Sequence, residues 1–328
     1  MVHQTGKKVV ADLQKRSEKG LRFAKKAMRE EKMENPKLAK ALKHYLAYWH
    51  DFTHAGLFSI ACEVVGGNPD DNVQPQASIT MMAAAFDIHD DIIDKSKTKH
   101  KKLTVYGKFG VNIALLLGNA FLIAGFKLFV DKTRELEEEK EKLVLNRTKN
   151  LLFEVGNAHA IEVCDKENDE NTLKNYLKIT KMKAASTEID MYLGALFGEG
   201  KENEVEILGK MGRILGIIGT LRDDLIDVFD MEELSARLAV NDPPMPLIFA
   251  MLDTKNSQVI KRIISKKKLT KKEAATLWYI TLESKSILRI KQEMKSLIKD
   301  GVELTENLSK INQRIKLQVL LSNMLEDL

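Results

Sequence analysis

Residues 81–94 read Met-Met-Ala-Ala-Ala-Phe-Asp-Ile-His-Asp-Asp-Ile-Ile-Asp. On a helix, Asp87, Asp90, Asp91 and Asp94 are i, i+3, i+4 and i+7, so four carboxylates share one face while Ile88, Ile92 and Ile93 point elsewhere. Like charges at this spacing repel, and the apolar run from Met81 to Phe86 marks the helix as buried rather than solvated. Such a stripe makes sense when divalent cations neutralise it. Hard oxygen ligands on adjacent turns suit Mg²⁺, which keeps several waters and shares its remaining positions with substrate phosphates.

The Asp-Asp-x-x-Asp spacing recurs in Arg222-Asp223-Asp224-Leu225-Ile226-Asp227, with Asp230 following, after the apolar helical stretch Met211 to Leu221. Two carboxylate arrays on separate apolar helices can hold several metal ions around one diphosphate. Helix signals continue outward in both directions. Asn35-Pro36 forms a cap with proline at the first helical position. Leu38, Leu42, Tyr45, Trp49 and Phe52 then make one apolar stripe that runs on to the glycine stop at Gly66-Gly67. A further helix is expected from about Pro75 into Asp87, another from a cap at Asn171-Thr172, and another from the capping box Thr270 to Glu273. Residues 131–147 read as a solvated helix surface.

Of 328 residues, 44% are hydrophobic, enough for a large core, and 18 Gly with 6 Pro are too few for the turns of a β-sandwich or barrel. Two cysteines, Cys62 and Cys164, exclude a disulfide scaffold and a thiolate zinc cage. The net charge of +5 is spread over a background that is 30% charged, so nucleic acid is not an expected partner, and the Lys266–Lys268 and Lys271-Lys272 run reads as solvent-facing. Val111 to Val130 is the most membrane-like stretch, but Asn112, Asn119 and Lys127 are costly in lipid, so a helix buried on most sides is expected and no transmembrane segment. The first twenty residues lack the apolar core of a signal peptide, and the expected setting is cytoplasmic. The expectation is one all-α domain over residues 1–328.

With both aspartate motifs, the chain resembles the trans-isoprenyl diphosphate synthase (polyprenyl synthetase) superfamily over roughly Trp49 to Pro246. Gly66-Gly67 with Pro69, Lys95-Ser96-Lys97-Thr98, Thr104-Val105-Tyr106-Gly107, Gly118-Asn119-Ala120, Tyr176 through Lys183, and Leu193-Gly194-Ala195 add to the likeness. The resemblance implies the helical isoprenoid synthase fold and, by analogy, a homodimer. It also implies an allylic diphosphate substrate and several Mg²⁺ ions held by Asp90, Asp91 and Asp94 on one wall and Asp223, Asp224 and Asp227 on the other. Lys99, Lys183 and Arg222 would contact the diphosphate, and Phe86, one turn before Asp90, would limit prenyl length.

The departures concern the acceptor. Where the family reads Gly-Lys-Arg-x-Arg-Pro, the stretch that binds isopentenyl diphosphate, this chain has His54-Ala55-Gly56-Leu57-Phe58-Ser59, and the family's Arg-Arg-Gly becomes Lys99-His100-Lys101. Phe-Gln before the second motif becomes Gly219-Thr220, and the lysine-containing loop after it becomes Arg237 through Pro246. Histidine is mostly neutral near pH 7, so the acceptor's anion site reads as lost. The first expectation is therefore a class I terpene synthase acting on a C10–C20 allylic diphosphate, the cation cyclising or losing a proton. The alternative is elongation with isopentenyl diphosphate, or transfer to another acceptor, using His54, His100 and the loop from Lys95 to Lys102 as a rebuilt anion site. A third reading is a non-catalytic subunit of a synthase, against which the intact aspartates argue. His89 is read as a donor to a carboxylate, and His159 with Glu162 as a polar pair without a visible partner.

Overall fold

The computed structural model describes residues 2–99, 102–167, 172–239, 243–253, 255–266 and 269–324, with side chains from residue 11 except those of residues 166, 167 and 253. Its helices begin with α1 (Val2–Glu30), α2 (Pro36–Tyr48), α3 (Thr53–Val65) and, after a short 3-10 turn, α4 (Val73–Ile93). A pair of two-residue strands, β1 (Thr98–Lys99) and β2 (Lys102–Leu103), lies antiparallel with Thr98 opposite Leu103. Then come α5 (Val105–Phe109), α6 (Val111–Thr133), α7 (Glu138–Glu167), α8 (Leu173–Lys183), α9 (Ala185–Phe197) and α10 (Glu202–Phe229). The chain continues through α11 (Met231–Ala239), α12 (Met245–Asp253), α13 (Ser257–Ile264), α14 (Lys271–Leu282), α15 (Lys285–Thr305) and α16 (Ile311–Asn323). This is the all-α architecture that the periodicity implies.

Local chemistry sets the ends. Asn35 Oδ1 accepts from the backbone N–H groups of Lys37 and Leu38 to start α2. Thr172 caps α8, and Thr270 with Glu273 forms the reciprocal box at α14; Asn171 lies outside the described residues. Gly66, in the left-handed region at φ 101°, closes α3.

The structure departs from the sequence reading at three places. The stripe from Leu38 to Gly66 is two helices, because the chain breaks after Tyr48 and Asp51 Oδ1 accepts from the N–H groups of Thr53 and His54 to start α3. The solvated 131–147 stretch is likewise interrupted between Thr133 and Glu138. Lastly, α6 is not buried on most sides. Its Ala114, Leu117, Gly118, Phe121, Gly125 and Phe129 pack inward, whereas Leu116 and Ile123 are 53% and 70% exposed. By length and composition this helix could cross a membrane, and a third of its most apolar window is buried.

Two apolar clusters flank α4. One joins α1, α2 and α6 around Tyr45, Trp49 and Phe121, and the other joins α3, α7, α9, α10 and α15 around Phe58, Met191 and Ile218. A third fills the space between the end of α10 and α11–α14. The centre is α9, buried at every residue but Ser186. Gly194 brings it so close to α3 that a Cβ there would lie 2.2 Å from the Phe58 carbonyl oxygen. This tight stack carries the functional side chains at fixed positions.

Candidate active site

The first aspartates occupy the last turn of α4. Asp90 and Asp91 are within the helix and Asp94 caps it, after which Lys95 turns the chain away through the left-handed region at φ 55°. Asp91 is 4% exposed. Burial, with repulsion from Asp87 and Asp94, lifts its carboxyl to about 7 against the pull of Lys99. Burial lifts Asp90 to about 7 as well, opposed by Lys183 and Lys99 and reinforced by Asp94 and Asp87. Lys99, at the end of β1, is bonded to Asp87 rather than to the triad. His159 of α7 stands 3.3 Å from Asp90.

The second triad lies near the end of α10. Tyr176 of α8 donates to Asp224 at 2.6 Å, and Arg237 of α11 reaches Asp227 at 3.0 Å and Asp224 at 3.9 Å. Burial holds Asp224 above the usual carboxylate range despite both partners. Burial, with repulsion from Asp227 and Asp224, lifts Asp223 to about 6 against Arg222, which is 3.8 Å away. Since 76% of the Asp223 side chain is exposed, water screens much of that effect. Lys183 stands at the end of α8. Its Nζ donates to Glu162 of α7 at 2.5 Å, and its charge favours the ionised form of Asp90 and, as a lesser influence, of Asp224. The polar pair read on α7 therefore has partners: His159 meets Asp90, and Glu162 meets Lys183.

Among the described residues no three ligand side chains converge as a closed metal cage. The donor set nonetheless fits a hard divalent cation. All six groups are carboxylates, and those with raised pKa values lack enough opposite charge nearby. An ion that takes one or two protein carboxylates and completes its shell with water and phosphate oxygens needs no closed cage.

Beside the first triad, a cavity of about 500 Å³ is lined by Tyr48, Trp49, His54, Asp87, Lys99 and Lys102, with the start of α9 at its floor. His54 Nδ1 lies 2.8 Å from Asp190 Oδ2, and that carboxylate is buried within α9. Burial by itself would push the imidazole down, but Asp190, with Asp51 and Asp87, more than offsets it and raises His54 to about 10. Asp190 sits above the ordinary carboxylate range because its own burial outweighs the pull of His54. The neighbouring carboxylates thus favour the imidazolium form of the ring. With Nδ1 turned to Asp190, Nε2 remains as a second N–H donor, which a neutral ring bonded in this way would lack.

Other expected residues fall elsewhere. Phe86 is half-buried and packs on the α3–α9–α10 cluster. His89 turns away from the carboxylates onto α6, where a Cβ at Gly118 would meet its Nε2 at 2.4 Å; burial lowers its pKa, and it is not a carboxylate donor. His100, Lys101, Val240, Asn241, Asp242, Lys267 and Lys268 lie outside the described residues. Sequence reasoning missed Asp190, Arg237 as a partner of Asp227, and Glu188. Asp190 and Glu188 are carboxylates on an otherwise apolar helix, which was the available signal.

The helical stack carries two aspartate arrays, at the end of α4 and near the end of α10, and the family model for polyprenyl synthetases matches residues 53–280. The chain belongs to the polyprenyl synthetase family. It is 26% identical over 197 residues to the short chain isoprenyl diphosphate synthase of Methanothermobacter thermautotrophicus, a match covering 60% of each chain. The geranylgeranyl pyrophosphate synthetase of Pyrococcus horikoshii has the same fold, with a TM-score of 0.81, 21% identity and 98% of each chain covered. So does a polyprenyl synthase of Caulobacter crescentus complexed with calcium and isoprenyl diphosphate, at a TM-score of 0.73, 16% identity and coverage of 94% and 97%.

These likenesses overturn the expectation of a class I terpene synthase, a lyase whose cation cyclises or loses a proton. The similar proteins carry the names of prenyl diphosphate synthases that build chains. The expectation rested on a neutral His54, whereas Asp190, far away in sequence, pairs with the ring beside the cavity and raises its pKa.

Proposed function

We propose that the protein is a chain-elongating trans-prenyl diphosphate synthase, which condenses an allylic diphosphate with isopentenyl diphosphate in the presence of Mg²⁺. The observation that supports this reading is that the charge of Lys183 acts on Asp90 of one aspartate array and on Asp224 of the other. A diphosphate there would meet a fixed ammonium, with Arg222 and Arg237 near the second array. Asp90, Asp91 and Asp94 would hold metal on one side and Asp223, Asp224 and Asp227 on the other. Bound Mg²⁺ would supply Lewis-acid stabilisation of the charge that grows on the departing diphosphate.

The chain's own groups do the rest. Lys183 orients the leaving group, and the apolar stack keeps water from the resonance-stabilised allyl cation. His54, Lys99 and Lys102 line the neighbouring cavity and present N–H donors to the acceptor's diphosphate. The allylic C–O bond breaks, a C–C bond forms to the acceptor's alkene, and a proton leaves the acceptor. The exposed face of α6, with Leu116, Ile123 and Phe126, supports pairing with a second copy through that helix. Ile123→Glu should then give a monomer by light scattering.

The deciding experiment incubates geranyl, farnesyl or geranylgeranyl diphosphate with Mg²⁺, with and without isopentenyl diphosphate. Longer prenyl diphosphates that form only with isopentenyl diphosphate are expected. Consumption of the allylic substrate without elongation in either arm would refute the proposal.

A further inference from the structure

Residues 255–299 contain thirteen Lys and Arg against three Glu, a surplus of ten in a chain whose net charge is +5, so the rest of the chain is net acidic. Elsewhere acids and bases are mixed along the helices in pairs such as Arg22–Glu18 on α1 and Lys142–Glu138 on α7. In this stretch two of the three acids are already engaged, Glu273 by Lys266 and Glu293 by Lys181. Concentrated like charge opposes folding through self-repulsion, so a surplus of this size needs a reason.

The apolar pattern on the same helices supplies one. Lys272, Ala275, Tyr279 and Leu282 follow at helical spacing on the exposed side of α14, and Tyr279 is 67% exposed. Two residues later α15 begins, and its exposed side runs through Lys285, Leu288, Arg289 and Gln292, with Leu288 54% exposed. Tyr279 and Leu282 lie near the end of α14 and Leu288 in the first turn of α15, and the exposed bases Lys272, Lys285 and Arg289 lie on the same two helices. On neighbouring α13, Lys261 and Arg262 are also exposed. Bases around exposed aromatic and aliphatic side chains match the interface of an anionic bilayer: charge meets the headgroups while the apolar side chains enter the acyl boundary. A nucleic-acid surface would gain nothing from Leu282 and Leu288.

We propose that the α13–α15 face docks the protein on anionic phospholipid membrane. The inference is independent of the proposed reaction. The full-length protein is mixed with phosphatidylcholine vesicles, with or without 30% phosphatidylglycerol, and bound protein is measured by sedimentation. Binding is expected to the anionic vesicles only, with release in 0.5 M salt. Lys272→Glu/Lys285→Glu/Arg289→Glu should weaken the partition coefficient by at least roughly 100-fold, since each base lost near a charged surface costs about a factor of five and the new carboxylates are repelled in addition. Tyr279→Ser/Leu288→Ser should weaken it by about tenfold. The variants' fold is checked by circular dichroism, and the composition and salt comparisons need no variant. Equal binding to both vesicle types, binding to neither, or an unchanged charge-reversal variant would overturn the proposal. So would RNA capture that anionic vesicles do not compete, which would make the face a nucleic-acid site.

Discussion

Asp190→Asn replaces one oxygen by an amino group and keeps the shape of the buried contact, but removes the charge that holds His54 protonated at 2.8 Å. In the native protein, with His54 raised to about 10, the ring stays cationic from pH 6 to 8. In the variant it returns to the ordinary histidine range near 6.5, and burial pushes it no higher. From a value of ~6.5, the protonated fraction falls from roughly three quarters at pH 6 to about 3% at pH 8. If Nε2–H holds the acceptor's diphosphate, KM for isopentenyl diphosphate in the variant, relative to wild type, should rise by up to about 25-fold over that span. Taking the ratio at each pH cancels the titration of substrate and metal ligands. Near-native KM at pH 6 and progressive loss towards pH 8 is a signature that a packing defect would not produce. A ratio flat with pH would refute the reasoning, as would a wild-type KM that already rises through pH 7.

Asp90→Ala and Asp223→Ala should each lower elongation by at least ~10²-fold with unchanged circular dichroism, and EDTA should mimic them reversibly. Asp91→Asn should raise the melting temperature of metal-free protein at pH 8 and much less at pH 5. A carboxyl raised to about 7 must stay protonated in the fold where the unfolded chain would ionise, so its burden grows from the unfolded value near 4 up to 7 and is complete above. Glu188→Gln should cost about 2–4 kcal/mol, or roughly 3–6 °C by calorimetry, because Arg147 and Arg213 both bond to that one buried carboxylate. Gly194→Ala should cost about 3 kcal/mol or more, because backbone rather than a side chain must move.

Much of the helical frame was legible because its signals are local. The caps at Asn35, Thr172 and Thr270 and the i, i+3, i+4, i+7 aspartates all act within one or two turns. The break after Tyr48 escaped notice because Trp49 stays in register with the stripe of α2, and the stop depends on Asp51 starting a new helix rather than on glycine or proline. The open face of α6 was hidden because composition cannot tell a helix packed on two sides from one packed on a single side. His54 was misjudged for a different reason. Its charge is set by a carboxylate 136 residues away, and no periodicity encodes such a meeting. The partners of His159 and Glu162 were invisible on the same ground.

The burial of α9 at all positions except Ser186 turns that helix into an internal clock. Amides at its middle can reach solvent only when α3 and α10 both come away, which is nearly the whole molecule opening. Their deuterium uptake should therefore follow global unfolding, while the two carboxylate arrays, on helix ends, exchange through smaller fluctuations. A ligand that slows exchange at Asp90 and Asp224 alone acts on local breathing. One that slows Met191 and Leu193 by the same factor has raised the stability of the whole fold.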